Sequence, residues 1–151
     1  MIWFKRVLWG VLLLLLLAAA FFAFYIYRSF PVMDGDLRAS GLQAPVSVDR
    51  DASDVTHIRA QSPHDAWFSL GYVHAQERGW QLEFNRRVMH GELSEAFGPA
   101  TLETDKLLRT LGIMRAAGQQ WQKLPPEGKA ALQAYSDGIN AFYAGSSQAL
   151  S

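Results

Sequence analysis

The chain has 151 residues, 50% of them hydrophobic, with 14 basic and 14 acidic side chains and no cysteine. That length suits one domain and no more; the missing cysteine excludes disulfides, thiolate zinc sites and a Cys nucleophile. Lys5, Arg6 and Arg28 flank an apolar segment, so the remainder is mildly acidic, which argues against a nucleic-acid partner, since phosphate binding needs clustered Lys and Arg.

Lys5 and Arg6 precede an uncharged run from Val7 to Tyr27, unbroken leucine from Leu12 to Leu17, and Arg28 ends it. At 1.5 Å per residue this run is about 30 Å long, roughly a bilayer core. Trp3, Trp9, Tyr25 and Tyr27 sit near its ends, where interfacial aromatics lie. The excess of positive charge before the run favours a cytoplasmic N-terminus and an exported C-terminal part. Residues 1–28 are therefore read as a transmembrane signal anchor or a signal peptide. The anchor would cross the inner membrane through residues 7–27 and leave the rest in the periplasm. Ala18-Ala19-Ala20 offers a small-residue cleavage site, and cutting there would make the product periplasmic. Against cleavage, Phe21, Phe22, Phe24, Tyr25 and Ile26 continue the apolar stretch. A buried core helix is a third reading, disfavoured by the length and the flanking charges.

Residues 29–44 mix Pro, Gly, Ser and charge and read as a linker. Residues 45–151 then form the third segment. Val46, Val48, Val55 and Ile58 predict two short strands near 45–50 and 55–60, joined by the turn chemistry of Asp51-Ala-Ser-Asp54. Ser62-Pro63-His64-Asp65 is a helix start, with Ser as N-cap, Pro first and Asp near the positive end of the dipole. Apolar residues recur at Trp67, Phe68, Leu70, Tyr72 and Val73 and again at Trp80, Leu82, Phe84 and Val88. Gly71 and Gly79 interrupt the stretch, and Gly91 closes it. Further helices are expected over Glu92–Phe97, stopped by Gly98-Pro99, then over 101–111 and 113–123. A last one starts at Pro126 and ends at Gly145-Ser146-Ser147, with Leu132, Tyr135, Ile139 and Phe142 as its apolar face. The fold class is thus α+β and mostly helical: an N-terminal helix, one β-hairpin, then several helices. Two strands cannot bury both faces by themselves, so either the helices form the core or the hairpin joins a sheet supplied by further chain.

No self-contained active site is evident. No serine lies in a Gly-x-Ser-x-Gly turn; Ser62 is explained as a cap, and Ser94 and Ser136 fall in helices, where a hydroxyl usually bonds its own backbone. His57, His64, His74 and His90 show no i, i+4 pair. His74 with Glu77 is a single, reversed version of the Glu-x-x-His motif, so no metal ligand is assigned. Asp49, Asp51 and Asp54 with Arg50 read as a solvated turn with local ion pairs. Arg86-Arg87 lacks the Gly-rich loop of a phosphate clamp.

Several segments taken together carry a more specific signal. They are Gly41-Leu-Gln-Ala-Pro-Val-Ser-Val-Asp-Arg-Asp51, Val55-Thr-His-Ile-Arg-Ala60, Asp65-Ala66 and Gly71-Tyr-Val-His-Ala-Gln-Glu-Arg78. Then come Trp80-Gln-Leu-Glu-Phe-Asn-Arg-Arg87, Gly91-Glu-Leu-Ser-Glu-Ala-Phe-Gly98, Asp105 with Arg109, and Leu132-Gln-Ala-Tyr-Ser-Asp-Gly-Ile-Asn-Ala-Phe142. In this order and spacing the set resembles the start of the α chain of the penicillin acylase family, over about residues 41–143. The departures are Asp54 and Thr56, where the family usually has Gly and Pro, Glu77 in place of Asp, and Gly79 in place of a larger apolar residue.

The resemblance implies a precursor that is exported and cut by its own chemistry into α and β chains. The new β-chain N-terminus would be a serine whose own α-amine acts as base, with backbone and Asn donors for the oxyanion. The fold implied is the four-layer αββα N-terminal-nucleophile hydrolase. The reaction is hydrolysis of an acyl-amide, on a β-lactam side chain or an N-acyl-homoserine lactone. The Gly-Ser-Asn cleavage site and the calcium ligands of the complete enzyme are expected beyond Ser151, so no catalytic, metal or cofactor residue is carried over, and the fragment alone is expected to be inactive. The partner is the β chain of the same precursor. Arg50, Asp51, Tyr72, Gln76, Arg86, Arg87, Tyr135 and Asn140 match family positions, and their expected work is packing and hydrogen bonding of the scaffold. The functional alternative puts Tyr72 or Arg87 in the acyl pocket. The rival to the enzyme reading is a non-enzymatic, membrane-anchored helical protein that binds a partner.

Overall fold

In chain order the elements of the computed structural model, which describes residues 2–30 and 34–148, are one long helix, a hairpin and a run of helices. They fall into two units, Met1–Leu37 and Arg38–Ser151. Of the stretch read as a linker, residues 31–33 lie outside the described residues, as do 149–151 at the end of the third segment.

The first unit is helix α1, Ile2–Ser29. Within it Trp3–Tyr27 is, among the described residues, the one helix long and apolar enough to cross a membrane. Every side chain from Trp3 to Tyr27 is exposed.

The second unit begins inside the expected linker, at Arg38. Strands β1 (Ser47–Arg50) and β2 (Thr56–Arg59) pair antiparallel, with Val48 opposite Ile58 and Arg50 opposite Thr56. They are shorter than the alternation predicted, because Val55 belongs to the turn and is 51% exposed. Asp51 accepts from the N–H groups of Ser53 and Val55 at 2.8 and 3.0 Å, which closes the turn. Asp54 sits there at φ 61, a left-handed conformation that Asp tolerates better than most residues.

Helix α2, Pro63–His90, starts and stops where expected. The Ser62 hydroxyl accepts from the Asp65 N–H, Pro63 holds the first turn, and Gly91 caps the end in the left-handed conformation. Gly71 does not break it, but a kink falls beside Gly79. The backbone leaves helical geometry only at Arg78. Then follow α3 (Leu93–Phe97), a 3-10 turn over Gly98–Thr101, α4 (Leu102–Leu111), α5 (Ile113–Lys123) and α6 (Pro126–Gln148). α6 runs on through Gly145-Ser146-Ser147, which were expected to end it: a lone Gly in a helix costs only about 1 kcal/mol relative to Ala.

The core lies where α2 and α6 cross, the most extensive contact between elements. Phe68, Val73, Ala75 and Ala134 are buried there. The crossing is made by glycines. A Cβ on Gly71 would fall 2.0 Å from the Tyr135 carbonyl oxygen, and one on Gly138 would fall 1.9 Å from that of Phe68. Each helix thus lays a bare Cα against the other's backbone. Of the expected apolar face of α6, Tyr135, Ile139 and Phe142 are half-buried, whereas Leu132 is 48% exposed and Ala134 and Gly138 are the buried positions. The helices, not the hairpin, form the core, and β1 is exposed along its whole length.

Candidate functional site

Four polar assemblies hold the unit together, and they contain most of the residues singled out from the sequence. The first ties residues 43–44 to α2. Asp65 is completely buried, and its carboxylate accepts from the N–H groups of Gln43 at 2.9 Å and Ala44 at 3.2 Å. The Gln43 donor, outweighing desolvation, holds the acid below its ordinary range, with help from His64, Ser62 and Ala44. Asp65 reads from sequence as a first-turn acid. Its long-range role carries no local signal, because the partners are backbone groups that any residue supplies.

The second joins the hairpin to α2. Arg50 pairs with Asp54 at 3.0 Å and with Glu77 on α2. Asp51 is held low by a hydrogen bond from His57 and by the Val55 and Ser53 N–H groups.

The third is the Arg86-Arg87 doublet. Arg86 donates to both oxygens of Glu83, at 2.8 and 3.1 Å, and to Glu92 at 3.3 Å. Arg87 pairs with Glu83 at 2.7 Å and Glu95 at 3.1 Å. The Arg86 hydrogen bond, aided by both guanidinium charges, lowers the Glu83 carboxyl to about 2. Asp105 completes this end of the molecule. It is 3% exposed and accepts from the N–H groups of Leu93 at 2.8 Å and Ser94 at 2.7 Å. Desolvation pushes it up, yet the Ser94 hydroxyl, these two N–H groups and the Arg109 charge bring it below its ordinary value. Ser136 donates to the Leu132 carbonyl at 2.9 Å, as expected of a hydroxyl within a helix.

The fourth lies on the α2–α6 seam. His74 Nδ1 is 3.0 Å from the Tyr135 hydroxyl. Tyr72 packs edge-on against Phe142 at 5.5 Å, and burial raises its phenol. Gln76 is half-buried on α2, and Asn140 is exposed on α6. Tyr72 and Arg87 sit 15 residues apart on one helix, about 22 Å along its axis. The structure therefore brings Arg86 and Arg87 together, and Tyr72 with the seam that holds Tyr135, but does not bring Tyr72 to Arg87.

His57 and His64 pair with Asp51 and Asp65 at 3.0 and 3.2 Å, and His90 lies 3.8 Å from Glu92. Among the described residues no group of three His, Asp or Glu side chains could hold a metal ion. One open groove, lined by Trp80, Gln81, Phe84 and Asn85, runs along α2. Phe97 packs edge-on against both Trp80 and Phe84.

The arrangement is a scaffold of capped helix ends and charged cross-links. Comparison with known proteins gives it a context. The family model described as penicillin amidase matches residues 45–150. Penicillin acylase 2 proenzyme of Pseudomonas sp. (strain SE83) is 40% identical over 116 residues, 77% of this chain and 15% of that protein. Acyl-homoserine lactone acylase QuiP of Pseudomonas putida is 38% identical over 114 residues, 76% of this chain and 14% of that protein. Among solved structures, a thermostable penicillin G acylase from Alcaligenes faecalis aligns with a TM-score of 0.58 at 28% identity. It covers 65% of this chain and 52% of its own. The chain spans 14–15% of the length of these two curated relatives.

Proposed function

The chain belongs to the penicillin amidase family, and from that premise we propose that it is the N-terminal part of the α chain of an exported acyl-amide hydrolase with the αββα N-terminal-nucleophile fold. The observation that carries this is the family match, continuous over residues 45–150. In the complete protein an N-terminal serine on a β chain attacks the amide carbonyl. Its own α-amine takes the hydroxyl proton and passes it to the departing amine. Water then releases the carboxylic acid from the acyl-serine. Substrates are amides of the kinds named for the relatives, a β-lactam side chain or an acyl-homoserine lactone.

The residues of this chain do none of that chemistry in this reading. Arg50, Asp51, Gln76, Arg86, Arg87, Tyr135 and Asn140 are scaffold, and Tyr72 packs the seam; the Arg86 and Arg87 ion pairs and the Tyr72–Phe142 contact support this over a place in the acyl pocket. The reading includes α1 as an inner-membrane anchor with the second unit in the periplasm, supported by the length and apolar composition of Trp3–Tyr27.

The test joins gene and assay. The reading frame beyond codon 151 is expected to run on to a Gly-Ser-Asn motif. The precursor so encoded should cut itself and hydrolyse phenylacetyl or long-chain acyl amides, and alanine at that serine should abolish both. Residues 29–151 alone should show no turnover, and measurable hydrolysis by them contradicts the proposal. A genuine stop codon followed by unrelated sequence favours the rival reading, a membrane-anchored partner-binding protein.

A further inference from the structure

Helix α2 is regular from Pro63 to His90 except at Arg78, where φ is −132° and ψ 25°. Sharp bends in helices come from proline, from Gly or Ser, or from a side chain inserted against the backbone. No proline lies within α2 after Pro63, but the residue after the bend is Gly79. A Cβ there would fall 2.8 Å from the Tyr143 hydroxyl and 3.7 Å from its Cζ. The phenol of α6 therefore occupies the space that a side chain at position 79 would fill. Its ring is braced edge-on by Phe142 at 5.5 Å, and Phe142 by Tyr72 at 5.5 Å. That row of rings is rooted in the part of α2 before the bend. There Phe68, Val73 and Ala75 are buried, whereas beyond it Trp80 is 62% exposed.

The geometry points to Tyr143 as a positioning residue: its hydroxyl, seated on the bare backbone of Gly79, holds the bend at Arg78. The bend sets the direction of the second half of α2. That half carries the groove of Trp80, Gln81, Phe84 and Asn85, and the Glu83–Arg86–Arg87 assembly that meets Glu92 and Glu95. Gly79 and Tyr143 are then one device in two parts, a missing side chain and the group that replaces it. This holds whatever reaction the complete protein performs.

The test is amide hydrogen exchange, read by mass spectrometry on the full chain in detergent micelles. Peptides over residues 79–90 and 63–77 are compared in wild type, Gly79→Ala, Tyr143→Phe and the double variant. Tyr143→Phe keeps the ring and removes only the atom that meets position 79. Gly79→Ala should speed exchange over 79–90 about tenfold through overpacking, and leave 63–77 unchanged. The double variant should exchange within about twofold of Tyr143→Phe alone. Ala otherwise favours helix, so unchanged or slower exchange in Gly79→Ala overturns the inference, as does a double variant more than about twofold faster than Tyr143→Phe alone. Tyr143→Leu gives an independent reading that leaves α2 untouched. Faster exchange confined to 79–90 supports the device, and no change there overturns it.

Discussion

Asp65 and Asp105 are 0% and 3% exposed, yet folding makes both stronger acids. Burial alone would weaken them. The reversal comes from paired backbone donors, Gln43 and Ala44 for one, Leu93 and Ser94 for the other. A carboxyl with a lowered pKa in the fold stabilises that fold wherever it is ionised. The contribution is whole above the unfolded value near 4 and is lost as pH falls through the folded value beneath it. The second unit should therefore hold a level urea midpoint from pH 7 to about pH 5 and lose stability below about pH 4. Asp65→Asn and Asp105→Asn should each lower the pH 7 midpoint and flatten the acid limb. Midpoints measured at pH 7 and pH 3 decide it; an acid limb as steep in both variants as in wild type would mean other carboxyls carry it.

Between elements, the decisive contact is the α2–α6 crossing, where hydrophobic size matters less than its absence. Backbone oxygens stand 2.0 and 1.9 Å from where Cβ atoms of residues 71 and 138 would be. Neither oxygen can swing aside as a side chain can, so the helices must separate. Gly71→Ala and Gly138→Ala should each cost about 3 kcal/mol, the upper end of ordinary overpacking. Gly118, inside α5, has nothing within 4 Å of its would-be Cβ. Gly118→Ala should instead add about 1 kcal/mol from helix propensity. Denaturant midpoints of the three variants check the contrast; equal effects would show that the crossing is not close-packed in solution. The sequence pattern placed Tyr135 and Phe142 on this seam but missed Gly71, Ala134 and Gly138, because large apolar residues mark a helix face by periodicity, whereas Gly and Ala mark it only by fitting a neighbour.

At the scale of the molecule, the second unit buries few apolar side chains and leaves many in water. Trp80 is 62% exposed, Leu111 63%, Leu107 59%, Phe97 47% and Trp67 45%. Apolar surface of that extent marks interfaces or aggregation. Residues 29–151 should bind a hydrophobic-surface dye such as ANS and elute above monomer mass. A dye-silent monomer with a sharp melt would contradict this. Much of the fold was legible without coordinates. Ser62-Pro63, Gly91, Gly98-Pro99, Gly112 and Pro125-Pro126 punctuate the helices, and Asp51 to Asp54 make the turn, because caps and turns are local chemistry. The order and spacing of the segments from Gly41 to Phe142 likewise led to the family without a contact map. What the sequence by itself determined, then, was where each element starts and stops and which family the chain resembles. Only the tertiary structure decided which face of each helix is inside, that Asp65 and Asp105 serve distant backbone, and that α2 bends at Arg78. Those depend on which surfaces approach closely enough to exclude a methyl group or a water, and such proximity has no period along a chain.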